Sequence, residues 1–540
     1  MRRTALASAF AATAALAFQV QAAAPTLDSV FPPGGRQGQA VDLTLLGKFD
    51  PWPCELWFSA PGFSFEPDPE KVGSGKLSIP AKAPEGPVLV RAHNAEGASA
   101  SIIFVVGDKA EIVEEDKSRN TIAGSATVER DALPLVVNGT LSAASELDAW
   151  RLSLKKGDTL HALVEAYGLR SPLDPALHLH DASGNRILVA HDLPANLDAG
   201  FSFEVPQAGE YVVSLVGFAH PPATNVAYVG SKNTHYRLHL ALSEKDLPAR
   251  LLPADLGPDS PDPELASGGT VVGTLKKPSQ PNRHAIEVKK GEKLLVRVEG
   301  RELRFPIDPV LRILKPDGGE IRREDDTGKS KDPQYLWTVA EDGVHTLEVS
   351  DRFGRGGPDM RYRLSASVPR PDFTLVADKE IHAMEQGKPL EIKLKLTRLH
   401  GHTGELDLSV SGLPESFVAT STGKTPDKDG ELVLKIEAKD DAPGFSGPFR
   451  IVAQEQPGKA DQPGNKDEGN ENGESPGDRD EPLRREAVVS FADDNWRGPY
   501  AIDESPDLWL SLPAPPVEEK GEQNEKEEQK KKEEPGEGKK

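Results

Sequence analysis

The feature that most constrains this chain is a repeat. Residues 171–185 read SPLDPALHLHDASGN, and residues 305–319 read FPIDPVLRILKPDGG. Setting Gly139 on Gly273 carries Gly157 to Gly291, Asp174 to Asp308, Pro175 to Pro309 and Gly184 to Gly318. The same step carries Asp192 to Asp326, Asp198 to Asp332 and Gly209 to Gly343, always 134 residues on and without a gap. The two units also close alike, on HYRLHLAL and RYRLSASV. A spacing held this rigidly is one fold made twice.

Each unit reads as strands. WRLSLKKGDTLHALVEAYG is two alternating runs around a Lys-Gly turn, and HAIEVKKGEKLLVRVEG is its counterpart. DPALHLHDASGN is a strand ended by a Ser-Gly turn, and GEYVVSLVG and GVHTLEVSD are strands entered through Gly. Side chains that alternate with period 2 argue half-buried strands, and no helical period of useful length occurs. With 49 Gly and 47 Pro in 540 residues, turns are dense. The expected fold class is all-β: tandem β-sandwich domains, Ig-like and jelly-roll-like, with an acidic insertion and a charged C-terminal tail, both disordered.

The run VVNGTLSAASELDAWRLSLKKGDTL, then SPLDPALHLHDASGN, LPANLDAGFSFEVPQAGEYVVSLVG and YRLHL, resembles the bacterial pre-peptidase C-terminal (PPC) domain. The resemblance covers 124–243 and 262–369 and implies two jelly-roll-like sandwiches of a kind found in secreted peptidases and envelope proteins. The second unit departs where Asp148-Ala-Trp150 becomes Asn282-Arg-His284, so no role of that Asp carries over. FPPGGRQGQAVDLTLLG, within 25–107, resembles the start of an IPT/TIG-type domain. Residues 370–513, with a Gly412-Leu413-Pro414 turn, resemble the Ig-like domains of bacterial envelope proteins. The layout as a whole resembles secreted proteins of Planctomycetes and their relatives.

The remaining segments follow from composition. Residues 1–24 carry Arg2 and Arg3, an alanine-rich apolar stretch and the small-residue step Val20-Gln21-Ala22, which is the pattern of a secretory signal peptide. Residues 108–123 and 244–261 are expected linkers. Residues 456–484, rich in Gly, Asp, Glu, Asn and Pro, cannot bury a core and are expected to be a disordered insertion, with 485–513 completing the last sandwich. Residues 514–540 are a Lys/Glu-rich tail, expected disordered. No second apolar segment reaches spanning length, so no membrane insertion is expected after signal cleavage.

A net charge of -22 argues against nucleic-acid binding, because an acidic surface repels phosphate backbones. Cys54 is the single cysteine, so no internal disulfide forms, and a small buried hydrophobe is expected there. No Gly-x-Ser-x-Gly elbow, His-Glu-x-x-His helix, P-loop or dinucleotide fingerprint is present. His178 with His180, and His235 with His239, share strand faces at even spacing. Since Leu177 and Leu179 take the core, His178 and His180 are expected to be exposed strand histidines and not a Zn²⁺ pair. His400 and His402 fall in an expected hairpin turn. The shared acids Asp174, Asp192, Asp198, Asp308, Asp326 and Asp332 have two readings: Ca²⁺ ligands on adjacent loops, or side chains that cap turns through backbone N–H groups. Trp52, Trp57 and Trp150 are expected in cores, with a sugar-stacking platform as the alternative.

The sequence thus leads to an exported, non-catalytic binding or spacer protein of the periplasm or cell envelope. No cofactor is required, Ca²⁺ excepted. The expected partner is an envelope or extracellular protein or a polysaccharide. The alternative is a carbohydrate-binding or protease-accessory module that works with a separate secreted enzyme.

Overall fold

A computed structural model describes residues 23–114, 120–224, 227–261, 264–456 and 482–515. The expected signal peptide lies outside the described residues except for Ala23 and Ala24, as do nearly all of the acidic insertion and the charged tail. The described chain is all-β. Its alternating runs form pairs of packed sheets, and helical structure is limited to single 3-10 turns such as Tyr167–Leu169.

The repeat is reproduced strand for strand. Asp148–Leu154 pairs with Gly209–Ala219 so that Asp148 faces Leu215, and Asn282–Val288 pairs with Gly343–Asp351 so that Asn282 faces Val349. Leu173–His180 sets Pro175 on Gly217, and Pro309–Leu314 sets Pro309 on Asp351. Even the irregular step recurs, between Leu179 and His180 in one copy and between Ile313 and Leu314 in the other. A one-residue slip would turn every core side chain to the other face, so the buried stripe fixes the register. Leu152, Leu177, Leu179 and Leu215 fill one core, and Leu311, Ile313, Leu347 and Val349 the other.

The first copy carries two edge strands that have no counterpart among the described residues of the second. Ala110–Val113 runs parallel to Leu135–Thr140, and Ala126–Val128 runs parallel to Asp148–Leu154. The stretch expected as a linker, 108–123, therefore contributes a sheet strand. Its Glu111 turns onto Arg237 and supplies the partner that a charged linker reading overlooked.

The first domain packs one sheet of Thr26–Phe31, Ala40–Lys48, Ser64–Pro67 and Ser74–Ser78 on another built from Gly34–Arg36, Glu55–Phe58, Gly86–Asn94 and Ile102–Gly107. In the fourth, Leu508–Leu512 joins Phe445–Glu455 on one side and Ile381–Ala383 on the other, so the residues after the insertion complete the sandwich. Arg484–Glu486 also pairs with Phe445–Glu455.

The four domains are folded back on one another. Ile102-Ile103-Phe104-Val105-Val106 is a continuous apolar run, and both of its faces are covered. Phe104 and Val106 enter the first domain's own core. Ile103 and Val105, with Leu89, pack instead against Leu169 of the second domain and against Phe491, Ala501 and Ile502 of the fourth.

Candidate functional site

The six shared Asp residues separate into different roles. Asp198 is fully buried; it accepts hydrogen bonds from the N–H groups of Ala166 (2.7 Å) and Gly168 (3.0 Å) and from Asn196 Nδ2 (3.3 Å). Its counterpart Asp332 accepts from Gly300, Arg301 and Glu302, each at 2.9 Å. Both tie down the loop that follows the Thr159–Glu165 or Lys293–Glu299 strand. Burial pushes the Asp198 carboxyl up to about 7 against those hydrogen bonds, and shifts Asp332 in the same direction. Among the described residues, no N–H donates to the carboxylate of Asp174 or Asp308. Burial, and then Asp192, pushes Asp174 up to about 6, while Asp308 keeps a buried Oδ1 without a partner. The cap beside Asp308 is Asp351, which accepts from the N–H groups of Asp308 (2.9 Å), Phe353 (3.0 Å) and Arg355 (3.0 Å). Asp326 pairs with Lys331 at 2.9 Å. Among the described residues, no three His, Cys, Asp or Glu side chains come close enough to hold a metal ion.

His178 and His180 are not exposed: each keeps 7% of its surface. Their face of the sheet is covered, and His180 Nε2 lies 3.0 Å from Ser214 Oγ. The alternation is right, but a sheet's outer face is not always solvent. His402 is buried beside Phe373 and lies 2.6 Å from an Arg398 nitrogen. Cys54 sits in the first core, and burial pushes its thiol up to about 11. Trp150 is in the second domain's core against Tyr236. Trp57 packs edge-on against Trp509 of the fourth domain at 6.0 Å, and Trp52 donates to the Asp68 carbonyl at 2.8 Å. These tryptophans form no common platform.

Buried ion pairs were the sequence's main omission. Glu165 is bound by both guanidinium nitrogens of Arg250 (2.5 and 2.8 Å) and by His239 Nε2 (2.9 Å). Burial opposes its charge, but Arg250 and His239 win and hold the carboxyl well below the usual range. Burial pushes His239 down in spite of that partner. Between the first and fourth domains, Arg91 is wholly buried, pairs with Glu380 at 2.8 Å and donates to the Asp507 carbonyl at 2.8 Å. Ser101 also bonds Glu380, and its carbonyl accepts from Arg170 of the second domain.

The segment FADDNWRGPYAIDES, 491–505, is a clasp. It leaves the fourth domain and lies on the second, where the Tyr167 hydroxyl donates to the Gly498 carbonyl (2.9 Å) and accepts from the Arg497 N–H (2.7 Å). Ala501 N–H donates to the Gly168 carbonyl (2.7 Å), and Asn196 donates to the Pro499 carbonyl (3.1 Å). The Tyr167 and Tyr500 rings lie 4.9 Å apart. Lys329 of the third domain reaches the Asp493 carbonyl at 3.1 Å. Between the clasp and the facing loops of the second and third domains lies a cleft of about 800 Å³. Its walls come from residues 192–197, 301–306, 329–331, Arg355 and 496–503. The readable signal was the aromatic content of an otherwise polar stretch: Phe491, Trp496 and Tyr500 in ten residues.

No protein-family model matches the chain, and no curated protein does. Among solved structures, the PPC domain of a collagenase from Bacillus anthracis aligns with 20% of this chain and 97% of its own, at 14% identity and a TM-score of 0.16. The N-terminal four Ig domains of Dscam1 isoform 4.44 align over 91% of this chain and 98% of theirs, at 10% identity and a TM-score of 0.18. The S-layer protein SbsC, domains 1–6, aligns over 91% of this chain and 55% of its own, at 8% identity and a TM-score of 0.15. At such scores these likenesses bear on no question of function.

Proposed function

We propose that the chain is an exported, non-catalytic binding protein of the periplasm or cell envelope, built on a tandem PPC-like pair. The observation that carries this reading is the clasp. A spacer gains from length, yet here the fourth domain returns to the first through Arg91 and Glu380 and holds the second through Tyr167. Such closure gives up reach and gains a fixed cleft at a three-domain junction, a common place for ligand sites. The buried imidazole of His239 is bound to a carboxylate that Arg250 already engages with both nitrogens, which favours a structural part for it. The basic, alanine-rich leader supports export.

The test is co-sedimentation of the mature chain with native cell-envelope fractions, run beside peptidase, esterase and glycosidase substrate panels. Retention on the envelope without turnover is expected. Turnover that survives rigorous purification refutes the non-catalytic reading, and failure to sediment refutes the envelope partner.

A further inference from the structure

The cleft at the three-domain junction departs from the charge of the rest of the protein. The chain carries -22 overall, yet Arg301, Arg304, Lys329, Lys331, Arg355 and Arg497 converge on this one opening. The acids there are fewer: Asp192, Glu302 and Asp503. Glu302 is already engaged by Arg297 and by Ser330 Oγ (2.7 Å). Four of the cations have protein partners: Pro194 and Asp493 carbonyls for Arg301 and Lys329, Asp326 for Lys331, and Asp351 for Arg355. Arg304 and Arg497 make no side-chain hydrogen bond or ion pair among the described residues.

The repeat makes Arg304 informative. Its counterpart is Arg170, and both have left-handed backbone, φ 66° and 61°. Arg170 has an evident role, since it donates to the Ser101 carbonyl and stacks on Phe491 at 4.2 Å, cementing the domain interface. Arg304 occupies the same loop position, half-buried, and makes no such bond; the charges that act on it are Arg250 and the acids Asp198, Glu165 and Asp503. A half-buried guanidinium without a hydrogen-bond partner, in a cleft where cations outnumber acids, is a place for an anion.

We propose that this cleft binds an anionic polysaccharide, its carboxylate or sulfate groups meeting Arg304 and Arg497 and its sugar faces resting on Trp496. This rests on the reading of the chain as a binding protein and names that protein's ligand class. The walls favour a polysaccharide over an acidic peptide. They are loops joined to a clasp and none of their residues lies in a strand, whereas an extended peptide is held by main-chain pairing to a sheet edge. A guanidinium fork suits a carboxylate or sulfate on a sugar as a planar or bidentate partner. Phe353, 67% exposed, lies with its ring 5.2 Å from the Arg355 guanidinium of the cleft wall.

The experiment is affinity electrophoresis of the mature chain in gels carrying polygalacturonate, chondroitin sulfate, neutral dextran or poly-L-glutamate. Retardation by polygalacturonate or chondroitin sulfate and not by dextran is expected, and the first two arms separate carboxylate from sulfate. Arg304→Gln with Arg497→Gln should weaken it by roughly tenfold, while Lys48→Gln with Lys82→Gln, the same charge change on the first domain, should leave it unaltered. Should the double variant not fold, Arg497→Gln alone, on the exposed rim, should weaken it about threefold. Equal weakening by both pairs, binding of poly-L-glutamate as tight as of polysaccharide, or no retardation by either anionic polysaccharide overturns the proposal. If envelope co-sedimentation persists without polysaccharide binding, the ligand class fails and the binding reading stands; if both are lost, both fail.

Discussion

The second and third domains share one fold at one register, yet they solve the same local problems with different chemistry. Each buries a tyrosine hydroxyl beneath a glycine. In the second, Tyr236 donates to the Asp148 carboxylate at 2.6 Å; in the third, Tyr362 accepts from Asn282 at 2.8 Å and lies 2.8 Å from His284 Nε2. A Cβ on Gly139 or Gly273 would overlap the tyrosine ring and hydroxyl, which is why both units keep glycine there. Each also places a glutamate across from an arginine. In the third, Glu299 and Arg363 pair directly at 2.6 and 2.8 Å. In the second, the added Ala110–Val113 strand brings Glu111 to Arg237, and Glu165 takes Arg250 and His239 instead. The lesson is that topology persists while polar partners are re-drawn around whatever neighbours each copy acquires. The second copy sits under the first domain and the clasp. The third meets the clasp along the cleft and through Lys329 on the Asp493 carbonyl.

The largest break in this comparison should come at the clasp. Tyr167→Ala removes a buried ring and two hydrogen bonds and should cost about 3–5 kcal/mol in holding the clasp to the second domain. Arg301→Ala, at the matching position of the third, removes a bond to the Pro194 carbonyl and none to the clasp, and should leave the clasp's protection nearly unchanged. Hydrogen exchange over residues 491–505 reads the difference; equal protection in both variants would mean that the clasp is held elsewhere.

Next are the ion pairs. Glu165→Ala strands two largely buried partners, Arg250 and His239, and should destabilise the second domain by about 3–5 kcal/mol. Glu299→Ala strands a partly exposed arginine and should cost the third domain about 1 kcal/mol or less. Urea titration with domain-resolved exchange separates them.

The tyrosines should follow. Tyr236→Phe loses a hydrogen bond to a carboxylate, about 1.5–3 kcal/mol, and Tyr362→Phe loses its bonds to Asn282 and His284, about 0.5–1.5 kcal/mol. A reversed order would show that the bond to the carboxylate is not the stronger of the two.

The last contrast is in pH. Asp198, with its carboxyl raised to about 7, keeps a proton that the unfolded chain releases near the ordinary carboxylate value. Between about pH 4 and about pH 7 the folded second domain therefore binds more protons, and its stability should fall as pH rises through that window. Asp198→Asn should flatten the slope. A slope that persists in the variant assigns the titration to another group.

Much of the fold was legible because strand periodicity is a local property. The runs around Leu177 and Leu311, the turns at Gly184 and Gly318 and the spacing of the repeat sit in the chain itself. The capping reading of the shared acids holds for Asp198 and Asp332, whose loops lie 30 to 32 residues away in sequence, and not for Asp174 or Asp308. A short strand tells which side chains leave the core, but not what then covers them, as His178, His180, Leu89 and Ile103 show. The cleft was not legible at all, since its walls are drawn from three domains and join residues as distant as Asp192 and Asp503.

By itself the sequence determined an all-β chain, its repeated unit and that unit's register, because alternation and turn chemistry act between near neighbours. Only the tertiary structure decided that the domains close on one another, that Arg91 finds Glu380 and that Arg304 is left facing an open cleft. Those outcomes depend on surfaces meeting after each sandwich is complete, and no local pattern encodes which finished faces will touch.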